Sequence, residues 1–423
     1  MSILIKNSKI VTQDSKRRIR EGDIYIEDDR IVEIGKISHE ADFLIKNRIV
    51  IPGLINMHTH LPMTLFRGYA DDMKLEDWLT NRIWPVEAKL RKKHIASGTK
   101  LAFIEMISTG TTCCADMYFF EDEIANQAKK FGMRCLAGFS ILDFDTPEMK
   151  KENLMKECEK FLRKWKNDEI VRPVVAPHSV YTCSPETLKE AGEIAKKYNA
   201  YIHIHCSETR KEVYDCLKNY GVRVLEQIKN NGLLTRKTIL AHCCWLTGEE
   251  VNEIAKSKAC VAHNPVSNMK LATGGFTPLP ELFAKNAFVT LGTDGAGSNN
   301  KLDMFETMKF CSLMHKQHRW DASVADAQQV FDMATTNAYR FLGIDGGVIK
   351  EGKKADLVCI DGKSPNLIPC HNVVSNIVYS ANGMNVSDVI INGKLLMHNK
   401  KMRFDFEKIY EEVEKVKEEL FAQ

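Results

Sequence analysis

The chain has 423 residues, 44% hydrophobic and 27% charged, a globular composition with ample material for a core; a disordered or fibrous protein is excluded. Lys and Arg total 59 against 56 Asp and Glu, a formal charge of +3, so there is no electrostatic footprint for nucleic acid. No uncharged apolar run is long enough to span a bilayer, and the N-terminal Ile-Leu-Ile stretch is too short for a secretory signal.

The first fifty residues alternate like short antiparallel strands, at 3–7, 22–27 and 30–35, with Asp28-Asp29 as a turn signal. From residue 49 a different rhythm begins. Eight short β-branched or apolar runs, at 49–57, 111–115, 134–139, 171–176, 200–205, 238–242, 259–263 and 288–292, are separated by charged amphipathic helices such as 147–165 and 185–198. Strand–helix alternation repeated eight times predicts an α/β fold with a parallel (β/α)8 barrel rather than an open sheet. After about residue 345 the β texture returns, at 347–349, 355–360, 373–379 and 389–393. Two β-rich ends can pair into one small sheet domain. The expected organisation is a composite β-sandwich from 1–52 and 345–403, a barrel over 53–344, and a packing helix over 404–423. That helix carries Ile409, Val413, Val416 and Leu420 at helical spacing. Thirteen cysteines without any Cys-x-x-Cys read as reduced core residues and predict a cytoplasmic protein.

Polar residues fall at the ends of the eight runs. His58 and His60 end the first, His178 follows the fourth, His205 ends the fifth, His242 the sixth and His263 the seventh; Asp294 follows the eighth. In a barrel the C-terminal strand ends converge on one mouth, so these side chains can meet across the sequence. His58 and His60, two apart on a strand, share a face. Chance places roughly 0.4 His-x-His pairs in a chain with thirteen histidines, and this one has two, the second being His203/His205. A carboxylate ending an apolar strand, as Asp294 does, is costly unless paired or bound to metal. Imidazole plus carboxylate suits Zn²⁺ with an open water position. Glu208, just beyond the fifth strand, suits general acid–base work. His203 reads as a hydrogen-bonded core histidine, Asp116 and Cys206 as structural, and His263 and Asn268 as loop-shaping residues.

Several motifs then carry a resemblance. Pro52-Gly-Leu-Ile-Asn-Met-His-Thr-His60, His263-Asn-Pro-Val-Ser-Asn-Met-Lys-Leu271 and Gly292-Thr-Asp-Gly-Ala-Gly-Ser-Asn-Asn300 resemble the amidohydrolase superfamily. With Leu65-Phe-Arg-Gly-Tyr69, Trp84-Pro-Val-Glu87 and Glu351-Gly-Lys-Lys-Ala-Asp-Leu357, nearly the whole chain is similar to its branch of 5′-methylthioadenosine/S-adenosylhomocysteine deaminases. The resemblance implies one divalent metal per subunit, usually zinc with iron or manganese as alternatives, on His58, His60, His205 and Asp294. No lysine ends the fourth strand to bridge a second metal; His178 stands there. It further implies Asp294 as proton acceptor from water, His242 as the group orienting the nucleophile, and Glu208 as proton donor to purine N1. Substrate contacts carry over to His178 at the ring, Glu87 at the ribose hydroxyls, Trp78 near the 5′ substituent and Ser298 at the ring side. The implied reaction is hydrolytic deamination of a small-molecule nucleoside by a homo-oligomer, a dimer or tetramer, with no nucleic-acid or membrane partner.

One departure bears on the substrate. Members accepting S-adenosylhomocysteine carry an arginine after the third strand, whereas residues 136–145 here contain neither Arg nor Lys. Phe139, Ile141, Leu142 and Phe144 are expected to form an apolar wall instead. Small uncharged 5′ groups, as in 5′-deoxyadenosine, 5′-methylthioadenosine or adenosine, are expected to be preferred. Two other readings stay open. A guanine deaminase or triazine hydrolase keeps the metal and changes the ring, leaving Glu87 without purpose. A silent binding barrel predicts lost ligands, yet all four are present.

Overall fold

The computed structural model describes residues 1–422. Isoleucines at alternate positions dictate the first sheet. Strands β1 (Ser2–Val11), β2 (Ile19–Glu27) and β3 (Arg30–Gly35) form an antiparallel meander, and β4 (Phe43–Lys46) and β5 (Ile49–Pro52) lie parallel to β1. Ile3, Ile5, Ile10, Ile24, Ile26 and Ile45 bury one face. The far end of the chain completes this sheet: β14 (Leu357–Ile360) pairs antiparallel with β5, setting Leu357 opposite Pro52 and Ile360 opposite Ile49. Strands β15 (Val386–Ile391), β16 (Lys394–His398) and β17 (Lys401–Met402) follow outward. Leu357, Cys359 and Ile390 join the isoleucines in a core separate from the larger one.

Between them runs an eight-stranded parallel sheet in sequence order: β6 (Leu54–Thr59), β7 (Thr111–Tyr118), β8 (Arg134–Ile141), β9 (Val171–Pro177), β10 (Tyr201–Cys206), β11 (Thr238–His242), β12 (Cys260–His263) and β13 (Phe288–Leu291). It curls into a barrel. Among the described residues no ladder joins β13 to β6; the seam is held by Asp294 N–H donating to the His58 carbonyl at 2.9 Å and Thr293 N–H to Asn56 Oδ1 at 3.0 Å. Ile55, Met57, Cys113, Leu136, Val174, Ile239 and Ala262 cluster with Tyr339, Phe341 and Leu342 of the helix Thr336–Leu342, so the base of the barrel is apolar. The polar strand ends stand at the opposite mouth. His58 and His60 reach it because β6 loses register against β7 between Asn56 and Thr59.

Four expectations are corrected. The first apolar run is not one strand: it divides at Gly53 into β5 of the outer sheet and β6 of the barrel. A Cβ at Gly53 would stand 2.1 Å from Thr112 Oγ1, so only glycine passes there. Residues 373–379 are helical turns, Val373–Ser375 continuing through Asn376–Ser380, not a strand. Val373, Val374, Ile377 and Val378 are the buried members, a period near four, and Asn372 Oδ1 caps the Ser375 N–H at 3.0 Å. The helix expected from 147 starts later, as Lys151–Trp165, because Thr146 and Met149 first close a turn. Residues 347–349 also form no strand, Ile349 N–H bonding only to the Thr12 carbonyl. The C-terminal helix Phe406–Phe421 buries Ile409, Val416 and Leu420 against the helix Lys92–Ser108 and is capped by Asp405. No helix among the described residues is long and apolar enough to cross a membrane.

Candidate metal centre and active site

Four histidines meet at the mouth with one ring nitrogen each already engaged. His60 Nδ1 bonds the Met117 carbonyl at 2.6 Å and His205 Nδ1 the His178 carbonyl at 2.8 Å. His242 Nδ1 meets Asn268 Oδ1 at 2.7 Å, and His58 Nδ1 meets His203 Nε2 at 2.9 Å. An acceptor at Nδ1 fixes the proton there and leaves Nε2 as a lone pair directed at the centre. His58 Nε2 is buried without a hydrogen-bond partner. It lies 3.3 Å from Asp294 Oδ1, and His60 Nε2 lies 3.2 Å from the same oxygen. Donor atoms of His58, His60 and Asp294 converge within 4.8 Å, as do those of His58, His205 and His242.

Asp294 is divided between two tasks. Its Oδ2 accepts from Ser267 Oγ at 2.6 Å and Ser298 Oγ at 2.7 Å, leaving Oδ1 to the histidines. Burial disfavours its charge, but the His58 and His60 rings beside it outweigh that and hold the carboxyl well below the usual range, so it is ionised. An orphaned buried imidazole nitrogen, a tautomer-fixed set of rings and an ionised carboxylate oxygen make a donor set of three nitrogens and one oxygen that fits a divalent cation. Close approach is part of the design: a Cβ at Gly292 would come within 2.3 Å of Asn264 Oδ1 and 2.8 Å of His58 Cβ. Backbone strain gathers here too, with positive φ at Ser207 (49°), His242 (70°) and Asp294 (62°), the last two carrying side chains that border the site.

A cavity of about 410 Å³ opens over this centre. His60, His205, His242, Asp294, Glu208, His178, Glu87, Trp78 and Ser298 all border it, so every residue expected to bind metal, catalyse or contact substrate except His58, which lies beneath, lines one space. Glu208 is buried and its carboxyl is pushed up by desolvation, only partly offset by His242, whose Nδ1 stands 3.8 Å from Oε1. His178 engages Thr182 Oγ1 through Nδ1 at 2.9 Å, and burial then the neighbouring histidines push it down to about 3, so the ring is neutral. Glu87 accepts a 2.5 Å bond from Tyr118 O–H and is raised by burial. The Ser298 hydroxyl is committed to Asp294 as well as bordering the cavity.

The outer wall corrects one expectation. Leu142 and Phe144 line the cavity, but Phe139 and Ile141 do not, because alternation along β8 presents Ser140 inward and turns its neighbours to the helix layer, where Phe139 packs on Phe161. The wall is instead extended by Leu75, Leu79, Ile83, Trp84 and Pro147. No lysine or arginine is among the lining residues, and Lys150 at the rim is paired with Asp145 at 2.6 Å. The sequence pattern did not mark the partners: His203, expected as a core histidine, holds His58, and Asn268, expected to shape a loop, holds His242; Ser267 stands inside a motif with no role attached to it, and no pattern pointed to Tyr118. The first His of His203-x-His205 was the one available signal. Asp116 is buried, its Oδ1 accepting from Leu61 N–H at 2.6 Å, a structural role.

Residues 49–396 match the amidohydrolase family. The chain is 41% identical over 427 residues to the 5′-deoxyadenosine deaminase of Methanosarcina mazei, covering 99% of this chain and 98% of that protein. It is 43% identical over 407 residues to the 5-methylthioadenosine/S-adenosylhomocysteine deaminase of Thermococcus onnurineus, covering 95% of each. A crystal structure of an adenosine deaminase from Xanthomonas campestris with bound zinc superposes with a TM-score of 0.96 at 32% identity, over 100% of this chain and 99% of that one. A family match across the barrel and both strands that tie it to the outer sheet, on a mouth built from these ligands, leaves one conclusion: the chain belongs to the amidohydrolase family.

Proposed function

We propose that this chain is a metal-dependent hydrolase that deaminates adenosine-type nucleosides with small, uncharged 5′ groups, releasing the inosine analogue and ammonia. The carrying observation is Glu208: a buried carboxyl, raised by desolvation, on the same cavity as an ionised Asp294 and a neutral His178. Two carboxyls pushed apart in this way divide the work, one holding a proton and the other taking one. The names of the relatives, all adenosine-derivative deaminases, support the ring assignment.

Zn²⁺ is the metal we assign, on His58, His60, His205 and Asp294. When bound it supplies Lewis acidity, drawing the pKa of water down towards about 7. Asp294 accepts the proton of the attacking water, its orientation fixed by Ser267 and Ser298. His242, held by Asn268, faces the same point and orients the nucleophile. Glu208 delivers its proton to purine N1, which makes C6 electrophilic. The oxygen adds to C6 with its remaining proton, the proton held by Asp294 passes to the exocyclic amine, and ammonia leaves as the C6 hydroxyl gives its proton back to Glu208. His178 presents Nε2 to the ring. Glu87, steadied by Tyr118, accepts from the ribose hydroxyls, and Trp78 with the apolar wall receives the 5′ group. A homocysteine carboxylate would meet no cation there and would face Asp145. The thirteen unpaired cysteines, twelve of them buried, support a reducing compartment and hence the cytoplasm.

The test is loss of adenine absorbance with zinc-reconstituted protein across 5′-deoxyadenosine, 5′-methylthioadenosine, adenosine, S-adenosylhomocysteine and free adenine. Turnover of the first three, a lower kcat/KM for the homocysteine adduct and none for adenine is expected. A kcat/KM highest for S-adenosylhomocysteine would overturn the 5′ assignment. Silence across the panel would overturn the ring.

A further inference from the structure

A second group of metal-binding side chains lies outside the barrel mouth. Alternation along β12 puts Cys260 and Ala262 in the barrel interior and turns His263 outward, towards the helix Met304–Arg319. Cys311 and His315, four residues apart, share one face of that helix. One donor atom from each of His263, Cys311 and His315 lies within 4.8 Å of the other two, and all three residues are at 0% exposure.

Hydrogen bonding prepares the nitrogens. Thr277 Oγ1 donates to the His242 carbonyl at 2.8 Å, so its contact with His263 Nδ1 at 2.9 Å must be one in which the ring donates. His263 Nε2 is therefore a bare lone pair, and it faces His315 Nε2 at 3.1 Å. His315 Nδ1 has no partner, so without a cation the His315 proton sits on Nε2 and is donated to His263 Nε2. A single shared proton would satisfy the two rings but would leave the Cys311 thiol, which makes no hydrogen bond among the described residues, without a role. The 3.1 Å separation matches the 3.2 and 3.3 Å between ligand atoms at the His58 centre. Burial pushes both imidazoles down, His315 to about 3 with help from His318 and Arg319, so both are neutral, the form that ligates.

We propose that His263, Cys311 and His315 form a second, structural metal site for a soft cation of the Cu⁺ or Zn²⁺ class. Cysteine sulfur selects these ions, and two imidazoles are compatible with either. Binding expels the thiol proton to solvent and moves the His315 proton to Nδ1, giving two neutral nitrogens and one thiolate. Cu⁺ then leaves the buried site with no net charge and is content with three ligands, whereas Zn²⁺ leaves a positive charge and favours four. Cu⁺ is the better match. The site is independent of the reaction assigned above, because it shares no ligand with the His58 centre.

The experiment is elemental analysis of full-length protein purified anaerobically from cells supplied with copper or with zinc, beside C311S and H315Q. Expected is one equivalent at the His58 centre in every protein and a further equivalent in copper-loaded wild type that both substitutions remove. A further equivalent of zinc removed by the same substitutions would assign the site to Zn²⁺. Titrating folded wild-type protein with Cu⁺ against a chromophoric chelator reads the same site should a variant misfold. No further equivalent of either metal in wild type, or one that survives both substitutions, would overturn the proposal.

Discussion

At the scale of single residues, the proposed metal ligands are shaped by what holds their far sides. His58 depends on His203, whose Nε2 takes the Nδ1 proton at 2.9 Å deep in the barrel. Replacing His203 with leucine keeps the volume and removes the acceptor, so the His58 ring is free to rotate and to change tautomer. Metal affinity should fall about 10- to 100-fold, the usual effect of losing such a support. Competition with a chelator measures it, and unchanged affinity would make His203 simple packing. Glu212 is the other revealing residue. Its Oε2 accepts from the Glu208 N–H at 2.7 Å while Oε1 has no partner, and burial followed by the neighbouring Glu208 carboxyl pushes its pKa up to about 8. Against an unfolded value near 4.3, the folded state favours the protonated acid. The stability this contributes is fully present below about pH 4.3 and is lost as pH rises through about 8. Glutamine does not titrate, so Glu212→Gln should gain on wild type in Tm between pH 5 and pH 8.5; a constant difference would contradict the assignment. His58, His60 and Asp294 were legible as residues because imidazole pairs and a lone carboxylate at apolar strand ends are costly without a purpose. Their supports were not, because His203 is 145 residues from His58 and meets it only through barrel closure.

At the scale of elements, legibility followed how strongly the buried positions discriminate between periods. Eight strands and the long charged helices carry an unambiguous pattern. Residues 373–379 do not: four apolar β-branched residues in seven suit either a strand or a helical turn, and the Asn372 cap decides it. The split at Gly53 was equally hidden, since both halves of the run are apolar and the chain changes sheets without changing composition. The C-terminal helix was clear from its spacing, and its role as a packing element makes a prediction. Leu420 is buried against the helix Lys92–Ser108 side of the molecule while its neighbour Glu419 forms a surface ion pair with Lys93 at 2.5 Å. Exposed pairs of that kind contribute little, about 0–1 kcal/mol. The apolar contacts must do the fastening. Leu420→Ala should therefore cost roughly 2–3 kcal/mol, near the low end for a core leucine because one side of the helix can relax. A lower Tm with kcat intact is expected; an unchanged Tm would mean that the ion pairs hold the helix.

At the scale of the whole molecule, the metal centre and the seam of the barrel coincide. Strands β7 to β9 are stitched by long ladders, with seven paired residues between β8 and β9. Among the described residues, only two contacts involving backbone N–H groups are in place between the ends of β13 and β6, from Asp294 to the His58 carbonyl and from Thr293 to the Asn56 side chain. Yet His58 belongs to β6, His60 directly follows it, and Asp294 lies three residues beyond the end of β13. A cation held by all three ties the first strand to the last across the one junction that lacks a ladder. Without it, an ionised Asp294 and an unpartnered His58 Nε2 face each other in a buried space, an arrangement that favours local opening. Chelation should thus raise hydrogen exchange at the amides of β6, β13 and residues 292–294 well above the change seen in β8 and β9, and lower Tm in a manner reversed by added Zn²⁺. Exchange that rises evenly around the barrel would mean that the metal serves chemistry alone. A rise confined to the seam would show that the ion completing the active site also completes the fold, so that catalytic competence and barrel closure are lost together.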